Sequence, residues 1–253
     1  MSQQAPSLPI PPKLIEALRS ARHVAVLTGA GVSAESRIPT FREAQTGLWA
    51  KYSPEELATP QAFRRNPKLV WEWYAWRREL VAQAKPNPGH LALAELEQCM
   101  PKFTLITQNV DGLHQRAGNR NVIELHGNIN RTRCFDEEDI IESWPPTTEL
   151  PPRCPRCGGY LRPDVVWFGE SLPQESLVVA FMAAEQCDLF LSIGTSALVQ
   201  PAASLPLAAL EQGVVVVEIN PDTTPLSPRA THVLRGPAGQ VLPALVKTLM
   251  KSS

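Results

Sequence analysis

VAVLTGAGVSAESRIPTFR, residues 24–42, joins an apolar run to a glycine turn. Val24 to Leu27 predicts a buried strand, Gly29-Ala30-Gly31-Val32-Ser33 a tight turn, and the residues after it the start of a helix. A strand-to-helix turn of this kind lets backbone N–H groups approach a phosphate closely. A Cβ at either glycine would block both the sharp turn and the approach. The same residues also suit a tight connection that holds no ligand, so both readings stand at this point.

The rest of the chain repeats the pattern. Phe103 to Thr107 is an apolar strand followed by Asn109-Val110-Asp111-Gly112 and a short helical stretch that ends at Gly118. Asp188 to Ile193 leads into Gly194-Thr195-Ser196 and an Ala/Leu-rich helix closed by Gly213. Val214 to Ile219 leads into Asn220-Pro221-Asp222, and His232 to Leu234 runs through Arg235-Gly236 into a helix from about Leu242 to Met250. Pro243 is tolerable there in a first turn. Strands this apolar, alternating with helices, predict an α/β fold with a Rossmann-like parallel sheet covered on both faces. Ligands of such sheets bind beyond the carboxyl ends of the strands, where every polar motif above falls.

Two segments break the pattern. Residues 43–85 are helical and aromatic, and 131–162 are polar, proline-rich and carry clustered cysteines. They are expected to form a smaller second module, with residues 11–42, 86–130 and 163–253 as the larger domain and 1–10 as a flexible leader.

At 253 residues the chain can bury a sizeable core, and 43% hydrophobic with 19% charged residues is ordinary for a soluble domain. A net charge of −1 excludes a general attraction to nucleic acid or anionic membrane. No run reaches the roughly 18 apolar residues of a membrane span. The proline-rich start, MSQQAPSLPIPPK, lacks the pattern of a secretion signal, so a cytoplasmic location is expected. Five cysteines, an odd number, argue against a disulfide framework. Cys99 and Cys187 sit in apolar patterns and are expected in the core.

Several constellations carry chemistry. Cys154-Pro155-Arg156-Cys157 with Gly158-Gly159 has the spacing of half a zinc knuckle, because CxxC lets both thiolates reach one metal. The other half is Cys134 with Glu137 where a second cysteine would stand. That leaves either a zinc site of three thiolates and a carboxylate, or a loop that folds without metal. Gln108-Asn109-Val110-Asp111 offers groups that hydrogen-bond a carboxamide or a ribose, or that make an Asx turn. His126, after the apolar Val122–Leu125, suits a general base near neutral pH or a hydrogen-bonded structural role. Asn66-Pro67 begins a helix that carries Trp71-Glu72-Trp73-Tyr74-Ala75-Trp76-Arg77-Arg78. Tyr74 and Arg77 share a helix face with Val70 and Val81. Together they either clamp a carboxylate, or the arginine lies at the surface over the aromatics.

Taken together, GAGVSAES, IPTFR, QNVD, HGN, RPDVVWFGE, GTS and NPD resemble, in order, the signatures of the sirtuin family of NAD-dependent protein-lysine deacylases. The resemblance runs from about Pro12 to Leu249, and it implies that the larger domain is a Rossmann-type, dinucleotide-binding one and that 43–85 and 131–162 form a small helical and zinc-bearing module. WEWYAWRRE, preceded by Leu57-Ala58-Thr59-Pro60, is similar to the branch that prefers succinyl- and malonyl-lysine. There the positions of Tyr74 and Arg77 hold the acyl carboxylate, and a small residue at Ala58 leaves room for it.

The resemblance implies that Gly29, Ala30, Gly31, Ser33 and Ala34 wrap the NAD phosphates and that Phe41 and Arg42 lie over the nicotinamide-ribose end. Gln108, Asn109, Val110 and Asp111 would bind ribose and carboxamide. Gly194, Thr195, Ser196, Asn220, Pro221, Asp222 and Ala238 would hold the diphosphate and adenosine end. His126 is the implied general base, with Asn109 and Asp111 in the same catalytic group. Val165, Val166, Trp167, Phe168 and Gly169 would lie in the strand, 165–170, to which the acylated-lysine peptide of a protein substrate adds by main-chain bonds.

The implied chemistry starts with attack of the acyl oxygen on the nicotinamide-ribose carbon. A ribose hydroxyl activated by His126 then attacks the imidate, and water releases lysine and acylated ADP-ribose. Zinc, at Cys134, Glu137, Cys154 and Cys157, takes no part. Two positions depart from the family pattern: Arg37 in place of a glycine, and Glu137 in place of a cysteine. The other readings are plain deacetylation or ADP-ribosyl transfer, and an NAD-binding regulator without turnover. The downstream acidic partner of a dehydrogenase GxGxxG is absent, and no basic stripe suits nucleic acid.

Overall fold

The structure is a computed structural model that describes residues 9–38 and 50–251. Phe41, Arg42, the beginning of the 43–85 segment and most of the 1–10 leader lie outside the described residues. In chain order the elements are α1 (Pro12–Ser20), β1 (His23–Thr28), α2 (Ala30–Ser33), α3 (Pro54–Leu57), α4 (Pro60–Arg65), α5 (Pro67–Gln83) and α6 (Pro88–Cys99). Then follow β2 (Lys102–Thr107), α7 (Leu113–Ala117), β3 (Val122–Glu124), β4 (Gly127–Cys134), β5 (Leu161–Val165) and α8 (Gln174–Gln186). The last are β6 (Leu189–Ile193), α9 (Leu205–Glu211), β7 (Val215–Asn220), β8 (His232–Arg235) and α10 (Ala238–Lys251).

Six parallel strands form one sheet in the order β3-β2-β1-β6-β7-β8. The chain builds outward from β1 to one edge, returns, and builds outward from β6 to the other. The gap between the ends of β1 and β6 is therefore the topological switch point, where open α/β sheets bind ligands. Strand alternation sorts the core onto two faces. Val24, Val26, Leu105, Leu189, Leu191 and Val217 pack with α1, α6 and α10. Ala25, Leu27, Ile106, Phe190 and Val216 pack with α8 and α9. Each fully buried Val or Leu contributes about 1.5–3 kcal/mol relative to exposure, so the doubly covered sheet is the main stabilising element.

A second layer lies beside it. β4 and β5 form an antiparallel hairpin-like pair, and α3, α4 and α5 cover it through Phe63, Val70, Trp73, Ile129, Val165 and Trp167. Trp71, Cys134, Ile141, Cys154 and Leu161 make a further cluster at its far end. Asn66 caps α5 by accepting the Leu69 N–H at 3.1 Å, and Pro67 opens the helix as the sequence implies.

Two expectations need correction. α10 begins at Ala238, so Pro243 stands inside the helix and not in its first turn. The run from Ala238 supplies a buried stripe (Ala238, Val241, Leu242, Leu245) whose packing outweighs the one main-chain bond that Pro243 cannot make. Cys187 is buried, but Cys99 is exposed, because α6 ends there, past its buried positions at 89, 90, 92–94 and 96. Among the described residues no helix is long and apolar enough to cross a membrane.

At the switch point two loops meet backbone to backbone. A Cβ on Gly31 would lie 2.8 Å from both Cα and O of Gly194, and Gly194 itself has φ +59°. Gly31→Ala is expected to cost about 1–3 kcal/mol, the scale of overpacking against immovable atoms, read as a lower thermal midpoint. An unchanged midpoint would mean that the loops part without cost.

Candidate functional site

The first loop is tied to the β6 end by its own backbone. Gly29 N–H donates to Ile193 O at 3.1 Å and Gly31 N–H to Gly194 O at 2.8 Å. Asn109, just past β2, donates from Nδ2 to Gly29 O (3.0 Å) and to Ser33 Oγ (3.2 Å). Ser33 Oγ in turn donates to Asp111 Oδ2 at 2.7 Å. The other Asp111 oxygen accepts the Leu113 N–H at 2.9 Å and so caps α7. The two readings of the QNVD segment thus coexist: Asp111 makes the Asx turn with one oxygen and faces the glycine loop with the other.

The β6 and β7 ends join the same crevice. Gln108 Nε2 donates to Thr195 Oγ1 (3.1 Å), Asn220 Nδ2 to Thr195 O (2.8 Å), and Asp222 N–H to Asn220 Oδ1 (3.2 Å). Ala30, Ala34, Ser196 and Pro221 are exposed along the rim, with Val110 half-buried. Ala238 opens α10, and the next N–H, of Gly239, donates to Glu35 Oε2 at 2.6 Å. The Glu35 carboxylate therefore caps α10 and fastens it to the first loop. Arg37 closes that loop with φ 61°, a left-handed conformation that glycine adopts freely and that costs another residue about 1–2 kcal/mol.

Beneath this polar layer lie residues to which the sequence alone assigns no role. Thr28 Oγ1 donates to Thr107 Oγ1 at 2.8 Å and lies 3.0 Å from His114 Nε2. The His114 and His90 rings are 4.8 Å apart, and His90 Nε2 is 3.5 Å from Ser33 Oγ. Burial pushes the His90 imidazole down to about 4, against the pull of Asp111, and His114 to about 3. Both are neutral near pH 7. The visible signals were the threonines closing two apolar strands and the Asn87-Pro88 cap that fixes His90 three residues on.

His126 stands between β3 and β4, half-buried, with Nδ1 2.9 Å from Gln108 O. A carbonyl only accepts, so Nδ1 carries the hydrogen and Nε2 is left as the basic nitrogen. Burial lowers its pKa below the usual 6.5, the Gln108 carbonyl acting in the opposite sense. The Val166 N–H donates to His126 O at 2.9 Å, which places the 165–169 segment beside it.

That segment is not a strand throughout. β5 stops at Val165, and the next N–H groups turn inward: Trp167 to Glu170 Oε2 (2.7 Å) and Phe168 to Ala58 O (2.9 Å). The carboxylate of Glu170 competes for the main chain and ends the ladder, which leaves a short stretch of edge followed by a turn.

Tyr74 and Arg77 are both buried on α5, on one stripe with Val70 and Val81. The surface reading of Arg77 is thereby excluded. Burial works against its charge, while Tyr74 and Asp111 favour it. Tyr74 Oη accepts the Trp167 indole N–H at 3.1 Å, and Ala58 is buried in the same cluster.

The metal candidates sit elsewhere, at the far end of β4, about 25 Å of strand from His126. The donor atoms of Cys134, Glu137, Cys154 and Cys157 lie within 4.8 Å of one another. Tetrahedral zinc–sulfur bonds of about 2.3 Å place their sulfurs about 3.8 Å apart, and Cys134 Sγ to Cys157 Sγ is 3.4 Å. The turn is closed by Gly158 N–H to Cys154 O (2.9 Å) and Cys154 N–H to Gly159 O (2.7 Å), with Gly158 at φ +79°. Three thiols and a carboxylate so gathered fit a structural zinc ion.

Residues 29–201 match the Sir2 family. The chain belongs to that family. It is 56% identical over 206 residues to an NAD-dependent protein deacylase of Aquifex aeolicus, covering 81% of this chain and 86% of the relative. A solved Sir2 homolog–NAD complex superposes with a TM-score of 0.89 at 50% identity, over 98% of this chain and 97% of that one. A Sir2–p53 peptide–NAD+ structure superposes with a TM-score of 0.82 at 31% identity, over 96% and 99%. Metal analysis of this Sir2 protein should find one zinc per chain, and Cys154→Ser should lose it and melt at lower temperature. Zinc-free wild-type protein with an unchanged melt would overturn the assignment.

Proposed function

We propose that this chain, an NAD-dependent protein-lysine deacylase, favours succinyl- and malonyl-lysine over acetyl-lysine. The observation that carries the acidic-acyl preference is the buried Tyr74–Arg77 pair on α5, a phenol and a guanidinium one turn apart in an otherwise apolar cluster. A guanidinium takes a carboxylate by a forked, charge-assisted pair, and Tyr74 adds a hydroxyl donor. An acetyl group offers neither partner anything to bind. Ala58, small and buried in the same cluster, leaves room for the longer acyl chain.

In this reading the substrates meet in the cleft between the larger domain (11–42, 86–130, 163–253) and the small module (43–85, 131–162). NAD, when bound, supplies the nicotinamide-ribose carbon that accepts the acyl oxygen with loss of nicotinamide. The donor set at the switch point suits it: amides at Gln108 and Asn109 and the Asp111 carboxylate for carboxamide and ribose. The side-chain-free meeting of Gly29, Gly31 and Gly194 suits the diphosphate, with Ala30, Ser33, Ala34, Thr195 and Ser196 around it. Asn220, Pro221, Asp222 and Ala238 hold the adenosine end, and Phe41 and Arg42 belong to the nicotinamide end. Ser33 and Asn109 brace each other and Asp111, so these groups are oriented before any ligand arrives.

His126 takes the ribose proton at Nε2, the nitrogen its Gln108 contact leaves basic. The acylated-lysine peptide of a protein substrate lies along Val165, Val166, Trp167, Phe168 and Gly169, next to that imidazole. The zinc set of Cys134, Glu137, Cys154 and Cys157 holds the small module together and moves no proton.

Nicotinamide release from matched peptides tests the reading. The ratio of succinyl to acetyl kcat/KM should favour succinyl, and Arg77→Met should lower it on the order of 100-fold, the scale of a lost charge-assisted pair. A wild-type preference for acetyl, or a ratio that Arg77→Met leaves alone, would refute the clamp. Failure of both substrates to turn over while NAD binds would make the chain a regulator.

For the base, His126→Tyr should retain NAD binding and abolish turnover. Since burial depresses the His126 pKa, and the base must be neutral, the acid limb of the kcat/KM profile should have its midpoint below 6.5. A midpoint above that value, or turnover by His126→Tyr, would remove the assignment.

A further inference from the structure

The Tyr74–Arg77 pair packs beside a wall that the two residues do not themselves supply. Arg162 on β5 is buried, at 3% exposure, and grips Glu170 with both terminal nitrogens, Nη1 to Oε1 at 2.5 Å and Nη2 to Oε2 at 2.9 Å. Nη2 also donates to Val165 O at 2.7 Å. The same guanidinium lies over the Trp167 indole, 3.3 Å from the ring centroid. Glu170 Oε2 accepts the Trp167 backbone N–H at 2.7 Å. One ion pair therefore fixes both the main chain and the ring of Trp167.

Phe63 and Tyr74 close the other sides, with ring centroids 5.3 and 6.3 Å from the indole. Trp167 is 2% exposed, so the ring has little room to move. From this fixed position its Nε1–H donates to Tyr74 Oη at 3.1 Å.

The direction of that bond has a consequence. An indole N–H can only donate, so the Tyr74 oxygen must accept. The phenolic hydrogen is then available to an acceptor that enters beside Arg77. We infer that Trp167, locked by the Arg162–Glu170 pair, is a positioning residue for acyl selectivity: it turns the Tyr74 hydroxyl into a directed donor for the acyl carboxylate. The inference rests on the acidic-acyl reading above. Burial also raises the Tyr74 pKa, which keeps the hydrogen in place at neutral pH.

The direct test removes only the indole N–H. Trp167 replaced by β-(3-benzothienyl)alanine keeps the ring shape and exchanges N–H for sulfur, and Trp167→Phe is the genetically simple companion. The readout is the ratio of succinyl to acetyl kcat/KM on matched peptides, compared with wild type and with Arg77→Met. Both Trp167 variants should lower the ratio about tenfold, the scale of one hydrogen bond to a charged acceptor, whatever they do to each rate. A packing role alone would lower the ratio in Trp167→Phe and leave it unchanged in the benzothienyl protein. That pattern, or an unchanged ratio in both, would overturn the inference while Arg77→Met still lowered the ratio. If Arg77→Met also left the ratio unchanged, the acidic-acyl reading itself would fall and this inference with it.

Discussion

Gly31 and Gly194 approach each other with no side chain between them, and the site depends on that contact. The two residues follow β1 and β6, the strands from which the sheet grows in opposite directions. Their approach lets Gly31 N–H reach Gly194 O at 2.8 Å, which locks the loops as one surface. Asn109 then finds Gly29 O and Ser33 Oγ within reach, and Gln108 finds Thr195. A methyl group at either glycine would meet backbone atoms, which do not rotate away. Four strand ends are held together by the smallest residues in the chain.

The polar groups gathered there must stay satisfied, because an unpaired buried donor or acceptor costs about 1–3 kcal/mol. Stacking a second polar layer underneath meets most of that demand, His114 Nδ1 being a buried atom left without a partner. Ser33 donates to Asp111 and accepts from Asn109, while Thr28 and Thr107 bond across adjacent strands. The two histidines below are kept neutral by burial, so they fill the space as hydrogen-bonding rings without adding charge beside Asp111. Preorganisation of Asn109 and Asp111 thus follows from the packing of the sheet, and His126 inherits its tautomer from the Gln108 carbonyl in the same way.

Much of this was legible in the chain because it is local. Strand periodicity placed β1, β2, β6, β7 and β8, and turn residues marked their ends. The spacing of Val70, Tyr74, Arg77 and Val81 set one face of α5, which the fold buries. What remained hidden depends on contacts distant in sequence. Glu170 ends β5 by capturing a main-chain N–H, so the run VVWFGE reads as strand although only its first residue is one. Pro243 looked like a helix start because the stripe that carries α10 through it begins five residues earlier. No pattern around Arg162 foretells that its guanidinium will lie on the ring of Trp167, since only the bend after β5 brings Glu170 back to meet it.

The β4–β5 pair runs from the cysteine cluster to the residues beside His126. Gly127 pairs with Val165 at one end, next to His126, and Cys134 pairs with Leu161 at the other, next to the remaining cysteines. Between them Arg131 bridges Glu124 at 2.6 Å and Asp164 at 2.8 Å, joining β3 of the main sheet to both strands of the pair. Arg131 is 43% exposed, so each bridge alone is worth little. A two-stranded ribbon is marginal in water by itself. Fastening its far end with four metal donors, and its near end through Arg131, leaves a rod whose tip carries Val165 and faces His126.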